Sequence, residues 1–466
     1  MKILLVSPSS GKWRGIAKKK VFNGKIFRFS MLSLLTIAAL TPKKHNVTII
    51  DEQLEDLPLN NNYDIVGITA MTAVAPRAYE IAKIYKHLGI PVVMGGYHAS
   101  LNSYEAMEYV DSVVVGVAYE AWENLLDDFQ NGKLKRIYYG KVNNNIPIHL
   151  PREKISKKSY LTINATFATL GCNNTCRFCS INKFYKMNRY NRKISEVIQE
   201  IKTLNDDFFI FVDDNLIQDR EYALMLFKSL IPLKKKWVTQ VSIDVSKDDE
   251  LLMLMSEAGC LGFFIGLETF NKKALNSQEK NINSPNEYKE AIKKIHSYGI
   301  FVESGIIFGF DSDDKYVFTD TLKMLKKIKI DLIQLSILTP LPGTELYENM
   351  KDRIIDKNWA NYDYRHVVFE PKQISKEELQ NGADWVIRKF YSPLNIFIRI
   401  FRWMKIQKSF SNILYPLCLS IAYYGRVIRF KIKGFNPGIK LFSLIDIAKK
   451  LFDNIFLRRK KTLIEI

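Results

Sequence analysis

Three cysteines, Cys172, Cys176 and Cys179, fall within eight consecutive residues, in the run Gly171-Cys172-Asn173-Asn174-Thr175-Cys176-Arg177-Phe178-Cys179. Three thiolates on one short loop can ligate three irons of a [4Fe–4S] cluster and leave the fourth iron open to bind a substrate. Zinc is the competing metal, but a structural zinc closes four ligands, and no His or Cys stands nearby at matching spacing. Chance clustering of thiols is the bland alternative. The chain has only five cysteines, so a disulfide framework, which wants an even and dispersed set, does not fit, and a reducing cytoplasm does. Cys260 and Cys418 read as small buried residues.

The elements that position the loop alternate. Strands are expected at Thr166–Leu170, Phe208–Val212, Thr239–Ile243, Gly262–Leu267, Phe301–Phe308 and Leu332–Leu338. Between them run helical patterns at Ser195–Asn205, Glu221–Ile231, Asp248–Ala258, Glu287–Tyr298 and Tyr316–Ile328. Six βα units in a row specify a partial barrel or another all-parallel architecture, with chemistry at the carboxyl ends of the strands. An earlier series, Ile3–Val6, Val47–Ile50, Ile65–Thr69, Val92–Met94 and Val113–Val115, with helices such as Ala75–Leu88, predicts a separate doubly wound sheet. The tract 132–162, with Asn143–Asn145, Pro147 and Pro151, reads as a linker. The expected division is therefore α/β: a Rossmann-like domain over 1–135, a linker over 136–160, a partial (β/α)6 barrel over 161–365, and a mainly helical, basic region over 366–466.

The cysteine loop and the strands after it resemble the radical S-adenosylmethionine (SAM) superfamily, in which a CxxxCxxC loop follows the first strand of a partial (β/α)6 barrel. The resemblance spans about residues 160 to 350 and implies a [4Fe–4S] cluster on Cys172, Cys176 and Cys179, with SAM on the open iron. Phe178 matches an aromatic common between the last two cysteines. Asp213 and Asp214 end the second strand, where relatives hold the SAM ammonium, and a carboxylate suits that cation; capping of the next helix is the plain alternative for either. Ser242 and Asp244 end the third strand, where relatives contact ribose or carboxylate. Glu268 stands in Gly266-Leu267-Glu268-Thr269, similar to the family's Gly-x-Glu-Ser strand end. The resemblance implies reductive cleavage of SAM to a 5′-deoxyadenosyl radical, which takes a hydrogen atom from substrate.

The first domain resembles the cobalamin (B12)-binding fold often attached to this superfamily. Gly67-Ile68-Thr69-Ala70 and Gly95-Gly96-Tyr97-His98 follow the third and fourth strands, and small residues there let a planar cofactor approach the backbone. The implied cobalamin contacts are Thr69, Ala70, Gly95, Gly96, His98 and Glu120; His98 is more often structural in such loops than a cobalt ligand. The Asp-x-His-x-x-Gly motif is absent, and the relatives' Gly-Glu-Gly-Glu loop appears as Gly116-Val117-Ala118-Tyr119 before Glu120. A nucleotide-type domain is the rival, and its G-x-G-x-x-G fingerprint is missing.

With both cofactors, the resemblance implies a cobalamin-dependent C-methyltransferase, and a hydrophobic substrate is expected from the basic, aromatic C-terminal region. A cyclase, oxidase or rearrangement enzyme on the same core is the alternative, and a non-catalytic cobalamin or cluster sensor is another. A tRNA methylthiotransferase would need three further N-terminal cysteines, and none precedes Cys172, so nucleic acid is discounted as a partner.

Of the net charge of +19, residues 388–466 supply +14, from 17 basic against three acidic residues. An anionic partner for that end follows, either phospholipid or an acidic electron donor such as flavodoxin or ferredoxin; a merely solvated basic surface is the rival. The opening Met-Lys-Ile-Leu-Leu-Val has no basic n-region followed by an apolar h-region and a small-residue cleavage site, so secretion is not expected. The uncharged stretches Phe29–Pro42 and Ser409–Gly425, of 14 and 17 residues, are short for a membrane span, so the expected location is cytoplasmic with peripheral membrane contact.

Overall fold

Short β-branched runs without a polar face form stable strands where both faces are covered, and the chain builds two parallel sheets, the first with helices on both sides. The structure is a computed structural model describing residues 1–9, 26–29, 31–142, 149–155, 160–406 and, beyond these, 412, 413, 416, 417, 419–421, 423 and 424. Asn143–Asn145 of the linker tract, Cys418 and the basic run after 424 lie outside the described residues.

The first sheet holds β1 (Lys2–Ser7), β2 (Asn46–Asp51), β3 (Ile65–Thr69), β4 (Val92–Gly95), β5 (Ser112–Gly116) and β6 (Ile137–Gly140), all parallel, in the order β2-β1-β3-β4-β5-β6. The order reverses between β1 and β3, which opens a crevice at the carboxyl edge there. Helices Leu32–Leu40 and Tyr119–Gln130 cover one face, around Leu5, Val93, Val114 and Trp122. Ala75–His87 covers the other, around Val6, Ile68 and Met94. The edge strand β6 falls in the stretch expected to be a linker; it pairs Val113–Gly116 with Ile137–Gly140, and its four residues are too few to show a period.

The second sheet holds β7 (Ala165–Thr166), β8 (Phe208–Phe211), β9 (Lys236–Gln240), β10 (Cys260–Glu268), β11 (Phe301–Phe308) and β12 (Leu332–Ile337), parallel and in sequence order. Its buried aromatic layer includes Phe209, Phe211, Trp237, Phe263 and Phe308. Two expected strands differ. Thr166–Leu170 is broken, because the N–H groups of Ala168 and Thr169 donate to the Asp213 carboxylate instead of to a ladder. The third strand ends at Gln240, before Ile243, because Ser242 turns to exchange hydrogen bonds with Asn215.

At the amino end of this sheet the helix Pro393–Ile406 is anchored on one carboxylate. Asp331, fully buried, accepts from His296 Nε2 at 2.7 Å, Val302 N at 2.9 Å, Arg402 Nη2 at 2.7 Å and Trp403 Nε1 at 2.7 Å. Burial alone would push its pKa up, but His296, Arg402 and the Val302 amide outweigh it and hold the group well below the carboxylate range. A depressed folded value means that this stabilisation is complete above the unfolded pKa of about 4 and is lost as pH falls through the folded value. Asp331→Ala leaves His296, half-buried Arg402 and buried Trp403 without their shared acceptor, and a loss of about 3 kcal/mol is expected in urea unfolding followed by tryptophan fluorescence.

Candidate functional site

The cysteine loop is tied to the strand beside it by side-chain hydrogen bonds. Asp213, at the end of β8, accepts from Ala168 N at 3.1 Å, Thr169 N at 2.5 Å and Thr169 Oγ1 at 2.7 Å. Asp214 accepts from Gly171 N at 3.0 Å. Gln218 then takes the loop at both ends of one residue pair: its Oε1 accepts from Asn173 N at 3.0 Å, and its Nε2 donates to Cys172 Sγ at 3.4 Å. Gly171, at φ +82°, is needed because a Cβ there would lie 2.2 Å from Asn188 O. Burial pushes Asp213 up to about 7, against the pull of Thr169 and Ala168, and Asp214 up to about 6.

All three thiols are free and line one cavity of about 1060 Å³. Burial pushes the Cys179 thiol up to about 12 and raises that of Cys176. The Lys280 cation only partly offsets this burial, and a cationic metal beside the sulfurs would favour the thiolate form. Among the described residues no three His, Cys, Asp or Glu side chains converge as ligands of a single ion do. A cubane spreads three thiolates over three irons, so the loop suits a cluster and not a mononuclear metal.

The wall facing the thiols is polar. Asp214, Asn215, Gln240, Ser242, Glu268, Lys280 and Asn283 line it, with Phe178, Phe264, Gly266 and Gly305 between them. Lys280 Nζ lies 3.4 Å from Glu268 Oε1. Burial disfavours the Lys280 cation, but Glu268 and the neighbouring thiols raise its pKa on balance; burial likewise raises Glu268. Asn283 donates to the carbonyls of Gly266 and Leu267, leaving its own buried Oδ1 without a partner. An orphan acceptor, a carboxylate and an ammonium in one pocket fit the amino, carboxylate and hydroxyl groups of SAM.

The crevice of the first sheet opens into the same cavity. Leu5, Gly67, Thr69, Ala70, Val93, Gly95, Gly96, Val114, Gly116 and Ala118 line it, with Met31, Leu32, Ile37 and Leu40 as the facing wall. The helix Leu32–Leu40 is apolar all round because Leu34 and Leu35 pack on the core while Leu32 and Ile37 form cavity wall. A Cβ on Gly96, at φ +94°, would lie 2.8 Å from Thr69 Oγ1, so the loop permits only glycine. A floor of glycines and alanines with an aliphatic slot behind it fits a planar macrocycle and its appended base.

Of the residues read from the sequence, Phe178, Asp214, Ser242, Glu268, Thr69, Ala70, Gly95 and Gly96 meet the three cysteines in this one cavity. Asp213 lies behind the loop it braces, and Asp219, not Asp213 or Asp214, caps the following helix by accepting from Tyr222 N. Asp244 lies in the turn Ile243–Lys247, away from the cavity. His98 is fully buried behind the crevice, 2.9 Å from Tyr79 OH and edge-on to Trp359. Glu120 is on the exposed side of its helix. Sequence reading missed Gln218, Lys280 and Asn283, which sit in polar loops with no periodic signal. It also missed the bolts between domains: Trp359 Nε1 to Glu105 at 2.8 Å, Tyr97 against Phe184 with ring centroids 4.4 Å apart, and Gly343 against Leu101.

Known proteins match this arrangement. The model of the Radical SAM superfamily matches residues 167–325, and that of the B12 binding domain matches residues 31–126. Bacteriochlorophyllide d C-12(1)-methyltransferase of Chlorobaculum tepidum is 30% identical over 79% of this chain and 84% of its own length. Hopanoid C-2 methylase of Rhodopseudomonas palustris is 26% identical over 71% of this chain and 67% of its own. Among solved structures, the radical S-adenosylmethionine methyltransferase TsrM of Kitasatospora setae, with cobalamin and a [4Fe–4S] cluster bound, shares the fold. Its TM-score is 0.60 at 15% identity, over 75% of this chain and 78% of that one.

The Gln218 contact gives a direct readout, since an N–H donated to a cluster sulfur raises its reduction potential. Gln218→Leu should keep its iron and shift the cluster midpoint negative by about 59 mV, a tenfold change in a one-electron equilibrium, in a redox titration followed by electron paramagnetic resonance.

Proposed function

Because this chain belongs to the radical SAM superfamily, as a member with a B12-binding domain, we propose that it transfers a methyl group to a carbon of a large, apolar, polycyclic substrate. It is a radical SAM enzyme whose cofactors are a [4Fe–4S] cluster, SAM and cobalamin. When bound, these supply a one-electron reduction, a hydrogen-abstracting radical and a methyl carrier.

The observation that carries the reading is the single cavity that both domains line, shared by the three thiols and the Gly95–Gly96 loop. A substrate carbon between them is within reach of both reactive centres without leaving the chamber. The chain's own residues do the positioning. Asp213, Asp214 and Gln218 fix the thiolate loop; Glu268, Lys280 and Asn283 present charge and an acceptor to the amino acid portion of SAM. Ile306, Ile307, Ile337, Leu338 and Leu341 furnish an apolar wall that excludes water. That wall and the polycyclic substrates named for the two relatives support an apolar, ring-built acceptor.

An acidic flavodoxin or ferredoxin is the electron donor in this reading. Exposed Lys183 and Lys186, a short way beyond Cys179, support it through charge. A reducing cytoplasm suits the free thiols.

Product mass tests the reading. Anaerobically reconstituted enzyme given SAM, a low-potential donor and bacteriochlorophyllide d is expected to exchange one substrate hydrogen for a methyl group; loss of hydrogens or an isomer would contradict methyl transfer. A variant separates the two cofactors. Gly95 shares its strand face with the cavity-lining Val93, and a Cβ there meets nothing closer than 3.9 Å. Gly95→Leu should therefore fold, keep its iron and its cleavage of SAM to 5′-deoxyadenosine, and lose bound cobalamin and the methylated product.

A further inference from the structure

The helix Pro393–Ile406 is apolar on the side that faces water. Leu394, Phe397, Ile398, Phe401 and Met404 are 69%, 57%, 56%, 52% and 41% exposed. Spacings of three and four residues put them on one stripe, where a solvated helix carries polar groups. The opposite side is committed to the barrel. Ile396, Arg399 and Trp403 are buried, Trp403 meets Asp331 and the Phe301 ring, and the Arg399 guanidinium lies 4.2 Å over Phe390. The helix therefore has no freedom to roll its outer stripe inward. The described residues that follow return to the inner side: Ile413 and Leu417 pack with Phe301 and Trp403, and Tyr423 stacks on Tyr391.

The stripe is framed by cations. Arg388 and Lys389 are exposed in the last turn of the preceding helix, Lys376–Phe390, and exposed Lys405 extends the stripe one turn beyond Phe401. Asp384 is the exposed carboxylate on that preceding helix nearest this end. We propose that this face docks the enzyme on an anionic phospholipid surface, with the aromatic and aliphatic side chains in the acyl boundary and the basic ones among the headgroups. A second copy of the chain fits the stripe less well, because a two-fold contact would set Lys389 and Lys405 against like charges. No helix among the described residues is long and apolar enough to cross a membrane, so the contact is peripheral. Phe301 and Asp331 lie at the amino ends of their strands, opposite the cavity, so the contact holds the enzyme at the surface and does not admit substrate.

This inference goes beyond the methyl-transfer reading and is measured without substrate, so either can fail alone. Holoenzyme is floated with vesicles of phosphatidylcholine, with and without phosphatidylglycerol. Binding should be at least about tenfold stronger with the anionic lipid and should weaken as salt rises. The double variant Phe397→Ser/Phe401→Ser should lose it, Lys389→Glu/Lys405→Glu should lower it about tenfold, and both should cleave SAM as the parent does. Equal binding to both vesicles, binding to neither, or parent-like binding by the variants would overturn the proposal. So would light scattering that finds a dimer in the parent and a monomer in the Phe variant, since the stripe would then belong to a second copy.

Discussion

An iron that must accept a second ligand has to be left bare while its three neighbours are held, and the thiols have to be fixed in a place where burial raises the pKa of Cys176 and Cys179. The protein meets this with side-chain hydrogen bonds to the loop. Asp213 takes two amides of the segment entering the loop, Asp214 takes the Gly171 amide, and Gln218 reaches both the Asn173 amide and the Cys172 sulfur. Each bond is modest by itself, near 1 kcal/mol or somewhat more to a charged acceptor. Their joint effect is geometric: the loop is held in the cavity that Glu268, at the end of β10, and Lys280 and Asn283, in the segment that follows, also line. The broken first strand of the barrel is the cost of that arrangement.

The second constraint is that two sheets must bring their carboxyl edges to one chamber. The crevice between β1 and β3 faces the barrel mouth, and the contacts that keep it there are specific. Glu105 is held down to about 2: burial alone would raise it, but donors from His98, Trp359, Tyr79 and Asn102 prevail. Tyr97 leaves the glycine loop to pack on Phe184, just beyond the cysteines. His98 thus joins the domains by ordering the Tyr79 and Glu105 side of the seam, while the loop residues before it line the cavity.

Legibility followed periodicity and covalent chemistry. The parallel strands could be read because their apolar runs carry no alternation, and the cysteine loop because three thiols at that spacing have few other uses. Boundaries drifted where side chains outcompeted the ladder, as Asp213 does at Ala168 and Asn215 at Ser242. The edge strand Ile137–Gly140 was invisible because four residues carry too little pattern. Gln218, Lys280 and Asn283 were unreadable for another reason: each acts through a long-range approach, and a polar residue in a loop looks the same whether it meets water or a sulfur. Of the two adjacent carboxylates at the end of β8, Asp214 lines the cavity and Asp213 braces the loop, a difference that sequence alone does not tell.

The central claim is that Cys172, Cys176 and Cys179 hold a cubane with one iron open to SAM. Mössbauer and electron paramagnetic spectra of the reconstituted parent, recorded before and after adding SAM, test it most directly alongside the triple alanine variant. One iron of four should change its signature on SAM addition in the parent, and the variant should bind no cluster and form no 5′-deoxyadenosine. A variant that kept the cluster and the cleavage, or a parent whose four irons ignored SAM, would contradict the account.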